Sequence, residues 1–123
     1  MMKENALKIK SYGFAIRIVK LSQYLQTDRK EFVLSKQILR SGTAIGALIR
    51  EAEFGQSKTD FIHKLTISLK EANETEYWIS ILNDTGYIDY KLYESMLNDC
   101  KELIRLLITS IKTVKQNKTM NNE

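Results

Sequence analysis

The sequence contains no proline and only five glycines, whereas leucine, isoleucine, lysine and glutamate are abundant. Proline interrupts helices and glycine supplies many hairpin turns, so their scarcity favours long helices over β-hairpins. The abundant residues are all compatible with helices. The composition therefore predicts an all-α fold.

Cys100 and His63 are the single cysteine and the single histidine. A lone cysteine cannot form an internal disulfide, which agrees with a reducing compartment, and we interpret Cys100 as a core residue. One histidine cannot supply the two Glu-x-x-His motifs of a di-iron bundle, although Glu71 and Glu74 share a helix face. Phosphate-binding loops and hydrolase motifs are missing as well.

We therefore expect no metal, no cofactor and no catalytic residue, and we predict that the protein is not an enzyme. The distant alternative is an enzyme whose site lies at a subunit boundary and brings Glu71, Glu74 and His63 together.

Long apolar runs are also absent. The first ten residues lack the apolar segment of a signal peptide, and no stretch approaches the ~20 apolar residues of a membrane span. We expect a cytoplasmic protein without membrane contact. A chain of 123 residues fits one domain with one core.

Apolar side chains recur at steps of three and four residues in four segments. This periodicity predicts helices at about 3–26, 35–54, 58–85 and 89–116, followed by a disordered tail at 117–123. Long helices with short loops predict a single domain at 1–123, folded as an antiparallel up-down-up-down four-helix bundle. We predict Ser57 and Asp89 as the caps that open helices 3 and 4, and Ser35, in preference to Asp28, as the cap of helix 2. Gly55 and Gly86 are predicted to close helices 2 and 3.

Two helices carry more contact surface than one bundle needs. The second helix has small residues from Ser41 to Ala47, which let a neighbouring helix approach closely. The first helix has a second apolar stripe beside its core stripe, made of Ile9, Tyr12, Ile16 and Val19. Gly13 within that stripe indicates close packing there. We predict that copies of the same chain cover the excess apolar surface.

The third helix adds to this excess near its end. It cannot bury Tyr77, Trp78 and Ile81 together with Ile79 and Leu82 on one side. Some of these side chains are therefore expected to face another chain.

Basic residues concentrate in residues 1–30, whereas residues 57–86 are acidic on balance. In an up-down bundle the start of helix 1, the junction of helices 2 and 3 and the end of helix 4 share one pole, which would then be basic. Such a pole can bind nucleic acid by neutralising phosphates. The alternative is that the lysines only solvate the surface and complement the dipole of helix 4. The candidate nucleic-acid contacts are Lys3, Lys8, Lys10, Arg17, Lys112, Lys115 and Lys118.

Two motifs carry a resemblance to a known family: QILRSGTAIGALIREA at 37–52 and KEANETEYW at 70–78. The residues between them that share in it are Ser57, Asp60, Phe61, Lys64, Leu65 and Ile67. These residues closely resemble the four-helix-bundle family of ribosomal RNA intervening-sequence proteins. The likeness extends from Leu7 to Lys115. The family also includes accessory proteins of diversity-generating retroelements.

The resemblance implies a left-handed bundle that assembles as a homopentameric ring. It also implies basic assemblies that bind RNA or DNA, in some relatives together with a reverse transcriptase. The family commonly has Ser at Ala44 and Asn at Leu48, so a polar role of these two positions does not carry over. We interpret the Arg50-Glu51 pair first as a structural contact between helices 2 and 3. The candidate oligomer-interface residues are Tyr77, Trp78, Ile81, Arg50 and Glu51.

The leading hypothesis is a non-enzymatic homo-oligomer, pentameric by resemblance, that engages RNA or DNA through a basic surface. A protein partner such as a reverse transcriptase fits the same hypothesis. The rival is a structural or adaptor protein that binds proteins only. Basic side chains that pair with carboxylates would favour the rival, because paired cations are less available to phosphates.

Overall fold

The computed structural model describes the backbone of residues 2–121 and the side chains of residues 6–117. Its helices are α1 (Met2–Thr27), α2 (Leu34–Glu53), α3 (Lys58–Asp84) and α4 (Tyr90–Asn121). Each helix packs against the next one along the chain, and α4 packs back onto α1. The predicted all-α four-helix bundle is confirmed. The fourth helix extends beyond its predicted end at 116, and residues 122–123 lie outside the described part.

The core consists of the predicted apolar stripes, because one face of every helix turns toward the bundle axis. On α1 the buried residues are Leu7, Phe14, Ile18, Leu21 and Leu25, with Ser11 buried between the first two. On α4 they are Met96, Cys100, Leu103, Leu107 and Ile111. Periodicity alone thus located the core face of both helices.

The α1 and α2 helices approach each other closely at two glycines of α2. A methyl group added to Gly42 would lie 2.7 Å from a side-chain carbon of Ile18, which is itself fully buried. A methyl group on Gly46 would lie 3.2 Å from the Ser11 hydroxyl oxygen. The predicted close contact at the small residues of α2 is therefore present. The close packing predicted at Gly13 is not found among the described residues, because none of their atoms outside its own stretch of helix lies within 4 Å of the position its methyl group would take.

The start of α2 differs from the prediction that Ser35 caps it. The Glu31 carboxylate accepts hydrogen bonds from the backbone N–H groups of Ser35 (2.8 Å) and Val33 (3.2 Å). Lys30, with φ at 55°, turns the chain so that this carboxylate reaches the helix end. A carboxylate suits the positive end of the helix dipole, so Glu31 takes the role predicted for Ser35.

The caps predicted for the starts of α3 and α4 are present, whereas the one predicted at Gly55 is not: Phe54 is the C-terminal cap residue of α2, and Gly55 does not adopt the positive φ of a glycine cap. The Ser57 hydroxyl accepts from the Asp60 N–H at 3.1 Å, and the Asp89 carboxylate accepts from the Leu92 N–H at 2.8 Å. Gly86 follows α3 with φ at 81°, a left-handed conformation that glycine adopts without strain. These local signals place the ends of α3 and the start of α4 where the sequence predicts them.

The loops lie at two poles of the bundle. At one pole the Arg29 guanidinium donates to the carbonyls of Gly86 (3.1 Å) and Tyr87 (2.8 Å), which joins the α1–α2 loop to the α3–α4 loop. At the other pole the α2–α3 junction meets the end of α4, where Phe61, Val114 and Asn117 line a shared cavity. We call this second end the junction pole.

Buried hydroxyl groups connect α2 to α3. The Thr75 hydroxyl bonds with that of Ser41 at 2.9 Å, and the Ser68 hydroxyl donates to the Ile45 carbonyl at 2.9 Å. Buried polar groups of this kind must be paired to avoid a desolvation cost of about 1–3 kcal/mol each. They form a polar seam between the two helices.

The glycine contact makes a matched prediction. Gly42→Ala should lower the free energy of unfolding by about 1–3 kcal/mol, because the methyl group displaces a fully buried Ile18. Gly13→Ala, the same change at an open position, should not lower it and should add up to about 1 kcal/mol of helix propensity. Urea unfolding followed by circular dichroism measures both. Equal stability of the two variants would contradict the close contact.

Candidate binding surfaces

The outer face of α1 is apolar although no other helix covers it in the described part of the chain. We define this α1 outer face by Ile9, Tyr12, Ile16 and Val19, of which Ile9 is 72% and Tyr12 59% exposed. The opposite side of the same helix forms part of the core. A helix that is apolar on both sides is ordinarily buried on both sides. The outer face is therefore a candidate contact surface.

A groove between α1 and α2 borders this face. It has a volume of about 190 Å³, and small side chains form much of its lining: Ser11, Ala15, Gly46 and Ala47. At its edge the Arg50 guanidinium lies 5.7 Å from the centre of the Tyr12 ring, within cation–π range. This contact holds Arg50 against α1.

The candidate nucleic-acid contacts on α1 are paired with carboxylates. The Lys8 ammonium lies 3.0 Å from Glu53 of α2. On the other side of α1, the Lys10 ammonium lies 3.2 Å from Glu102, and the Arg17 guanidinium lies 2.6 Å from Asp99. All three basic groups are partly exposed, so each pair contributes little stability. Their charges are nevertheless compensated locally, which sequence reasoning missed because the partners are distant in the chain.

Of the four remaining candidates, two have side chains within the described residues and two do not. Lys112 and Lys115 are exposed on α4, and Lys115 has an interaction of its own. The side chains of Lys3 and Lys118 lie outside the described residues. The structure therefore does not gather the predicted basic residues into one unpaired patch.

The interface candidates occupy two separate places. Tyr77 is 60% exposed near the end of α3, whereas Trp78 and Ile81 are half-buried. The Trp78 ring N–H donates to Glu74 at 3.0 Å, so its polar atom is satisfied within the chain. Tyr77 is the member of this group that offers most surface to a partner.

Arg50 and Glu51 contact different helices. Glu51 accepts from the Lys64 ammonium at 2.9 Å, which is the predicted contact between α2 and α3. This hydrogen bond and the charge of Glu51 raise the pKa of Lys64. Arg50 instead lies toward α1, over Tyr12, so the structural contact predicted for both residues holds for Glu51 alone.

The carboxylates considered for an enzyme site are engaged by α2. Arg40 forms ion pairs with both Glu71 and Glu74, and His63 is exposed elsewhere on α3. Within the described residues no group of three His, Cys, Asp or Glu side chains is arranged to hold a metal ion. Glu71 and Glu74 thus join α3 to the neighbouring helix α2.

Phe54 is a surface residue that sequence reasoning missed. It is the C-terminal cap residue of α2, at the junction pole, and its side chain is 84% exposed. An open cavity of about 440 Å³ lies beside it. The cavity is lined by Arg50, Glu51, Phe54, Gly55, Gln56, Asp60 and Lys64. The position of Phe54 just after a helix can be predicted from the sequence. That position does not show whether the side chain packs into the core or lies on the surface.

Comparison with known proteins supplies the family. Over the described part of the chain, no helix combines the length and apolar content needed to cross a bilayer. A family model described as 23S rRNA-intervening sequence protein matches residues 3–109. The chain belongs to this family. The predicted resemblance is confirmed.

A solved structure is similar to this chain. It is a crystal structure, at 1.70 Å resolution, of a protein with unknown function from the S23 ribosomal protein family of Bacteroides thetaiotaomicron VPI-5482. It is 60% identical to this chain, with a TM-score of 0.89, and the match covers 89% of this chain and 98% of that one. No curated protein matches the chain.

Cys100 yields a prediction on reactivity and pH. The thiol is buried, donates to the Ala72 carbonyl at 3.3 Å, and burial raises its pKa to about 12. The folded protein should react with a disulfide reagent at pH 8 only as fast as it unfolds, because the thiolate is the reactive form. Ellman's reagent, with and without urea, measures this rate.

The same shift makes stability depend on pH. Below about pH 8.5, the ordinary pKa of a thiol, Cys100 is protonated in both the folded and the unfolded state, so its full contribution to the free energy of unfolding is present. Above it the unfolded state loses a proton that the folded state keeps until about pH 12, so the free energy of unfolding falls. The Cys100→Ala variant should lack this pH-dependent fall in the free energy of unfolding. In the reactivity experiment, rapid reaction of the native protein with Ellman's reagent would contradict a buried thiol.

Proposed function

We propose that this intervening-sequence protein is a non-enzymatic binding protein that assembles with copies of itself through the α1 outer face and engages nucleic acid in the assembled form. The exposed apolar outer face of α1 is the observation that carries the proposal. Isolated exposed apolar residues are common, but a continuous stripe along a helix is typical of a contact surface.

Gly13 supports the same surface. It lies in the middle of α1, where glycine costs about 1 kcal/mol relative to alanine, and no packing within the chain requires it. A glycine beside apolar residues lets the backbone of another helix approach closely. A helix from a second copy is therefore the partner that this face fits.

The family resemblance implies five copies. A ring requires a heterologous contact, in which the α1 outer face meets a different surface of the next copy. Tyr77 offers an exposed aromatic surface for that role, since aromatic residues are enriched in interface cores.

The assembly prediction uses three variants. Ile16→Asp places a charge in the α1 outer face and should reduce the particle mass toward the 14.3 kDa of one chain. Tyr77→Asp should do the same if α3 supplies the second surface. Asn73→Asp, which adds the same charge at an exposed polar position of α3, should leave the mass unchanged. Light scattering coupled to gel filtration measures the mass, and a monomeric wild-type protein would remove the proposal.

Nucleic-acid binding is the second part of the proposal, and the ion pairs on α1 bear on it. They favour the rival adaptor function for that side of the molecule. The net charge of +4 and the exposed Lys112 support nucleic-acid binding elsewhere. Assembly would add the charges of several copies in one field.

Salt dependence distinguishes the two functions. If phosphates are neutralised, the logarithm of the affinity should fall with the logarithm of salt concentration by about 0.7 per phosphate contacted on a single strand. Fluorescence anisotropy with a labelled oligonucleotide between about 50 and 200 mM salt measures this slope. No binding at low salt, or a flat response, would leave the adaptor function.

A further inference from the structure

We propose that Phe54 and Arg50 form a site for an unpaired nucleobase and its phosphate, so that the nucleic acid bound at the junction pole is single-stranded. This inference rests on the nucleic-acid part of the proposed function. It replaces the predicted contacts on α1 with residues that lie at the end of α2.

The backbone explains why Phe54 stands out from the surface. The residue follows the last helical position of α2, Glu53, and its N–H closes the helix on the Glu51 carbonyl at 3.2 Å. Gly55 then turns the chain toward α3. The side chain therefore points away from the bundle and is 84% exposed, more than any other large apolar residue of the described chain.

The surroundings of Phe54 differ from those of the α1 outer face. Its cavity is lined mainly by charged and polar residues, with Phe54 as the single aromatic group. A residue that anchors a protein–protein interface is usually surrounded by other apolar residues, which exclude water. An aromatic ring surrounded by charged residues instead suits a ligand in which a flat aromatic ring is joined to a charged group.

The cavity is lined by two basic and two acidic side chains. Glu51 is paired with Lys64 at 2.9 Å, whereas the Asp60 carboxylate accepts a hydrogen bond from a neutral group, the Gln56 N–H, at 3.4 Å. Among the side chains of residues 6–117, Arg50 takes part in no ion pair, and its guanidinium lies over the Tyr12 ring. Arg50 also lines this cavity, so an anion entering it meets an arginine side chain that is not paired with a carboxylate.

Both groups act on a nucleotide in a known way. A base stacks on an exposed aromatic ring whatever its sequence, because every base has a π face. A guanidinium presents two parallel donors that match phosphate oxygens. Arg50 lies one helical turn before Phe54, so one nucleotide can reach both. In a duplex the base faces are already stacked on one another, which excludes them from Phe54.

The test compares two phenylalanines. Binding of a labelled uridine 12-mer and of a duplex of the same length is measured by anisotropy for the wild type, Phe54→Leu and Phe32→Leu. Phe32 is also exposed but lies at the opposite pole. Phe54→Leu keeps an apolar side chain without the π face, and Phe54→Trp keeps the π face.

We expect Phe54→Leu to weaken single-strand binding by ~5- to 150-fold, which corresponds to the ~1–3 kcal/mol of one base–aromatic stack. Its salt slope and its duplex binding should not change, and Phe32→Leu should behave as the wild type. Phe54→Trp should restore binding. Arg50→Gln should instead lower the salt slope by about 0.7, as expected for the loss of one phosphate contact.

The possible failures are distinct. A wild type that binds neither nucleic acid at low salt overturns the proposed function and this site with it. Wild-type affinity in Phe54→Leu, with binding otherwise intact, overturns the site alone. A lower particle mass of Phe54→Leu in light scattering would assign the side chain to a subunit contact and also overturn the site. Circular dichroism confirms that each variant is folded.

Discussion

The close contact between α1 and α2 determines how the rest of the surface is arranged. Gly42 leaves room for the side chain of Ile18, and Gly46 leaves room for that of Ser11, so at these points α2 contributes no side chain to the contact. The same proximity brings Tyr12 of α1 beneath Arg50 of α2.

Charge is used differently on the two sides of α1. Toward its neighbours, basic side chains of α1 meet carboxylates of α2 and α4, and these pairs surround the helix without covering its outer face. Such pairs add little stability, but they disfavour alternative packings that would place like charges together. Under the proposals made above, the apolar outer face serves assembly and the junction pole serves a charged ligand, so separate surfaces would serve separate partners.

The fold followed from the sequence because its signals are local. The apolar stripe of α4 and the caps at Ser57 and Asp89 each depend on residues within a few positions of one another. The cap of α2 was not predictable in this way. Glu31 reaches the helix end because Lys30 adopts a positive φ. A glycine at that position would have indicated this conformation, but a lysine does not.

The candidate site was predicted less well than the fold, and for a physical reason. Whether a lysine is free for a phosphate depends on carboxylates far along the chain, as the pairing of Lys10 with Glu102 illustrates. Periodicity contains no information on such pairs. Phe54 was missed for a related reason, since an aromatic residue at a helix end has the same composition signal whether it packs inward or outward.

The hydroxyl contacts between α2 and α3 have a mechanical consequence. Sliding one helix past the other by one turn, about 5.4 Å, would separate Ser41 from Thr75 and leave the Ser41 oxygen without this partner in an apolar interior, whereas Thr75 would keep its hydrogen bond to the Glu71 carbonyl. Sliding of α2 along α3 is therefore disfavoured, whereas a purely apolar interface would tolerate it. A force applied at one end of the bundle should then displace the whole bundle as a rigid block, without any change inside it.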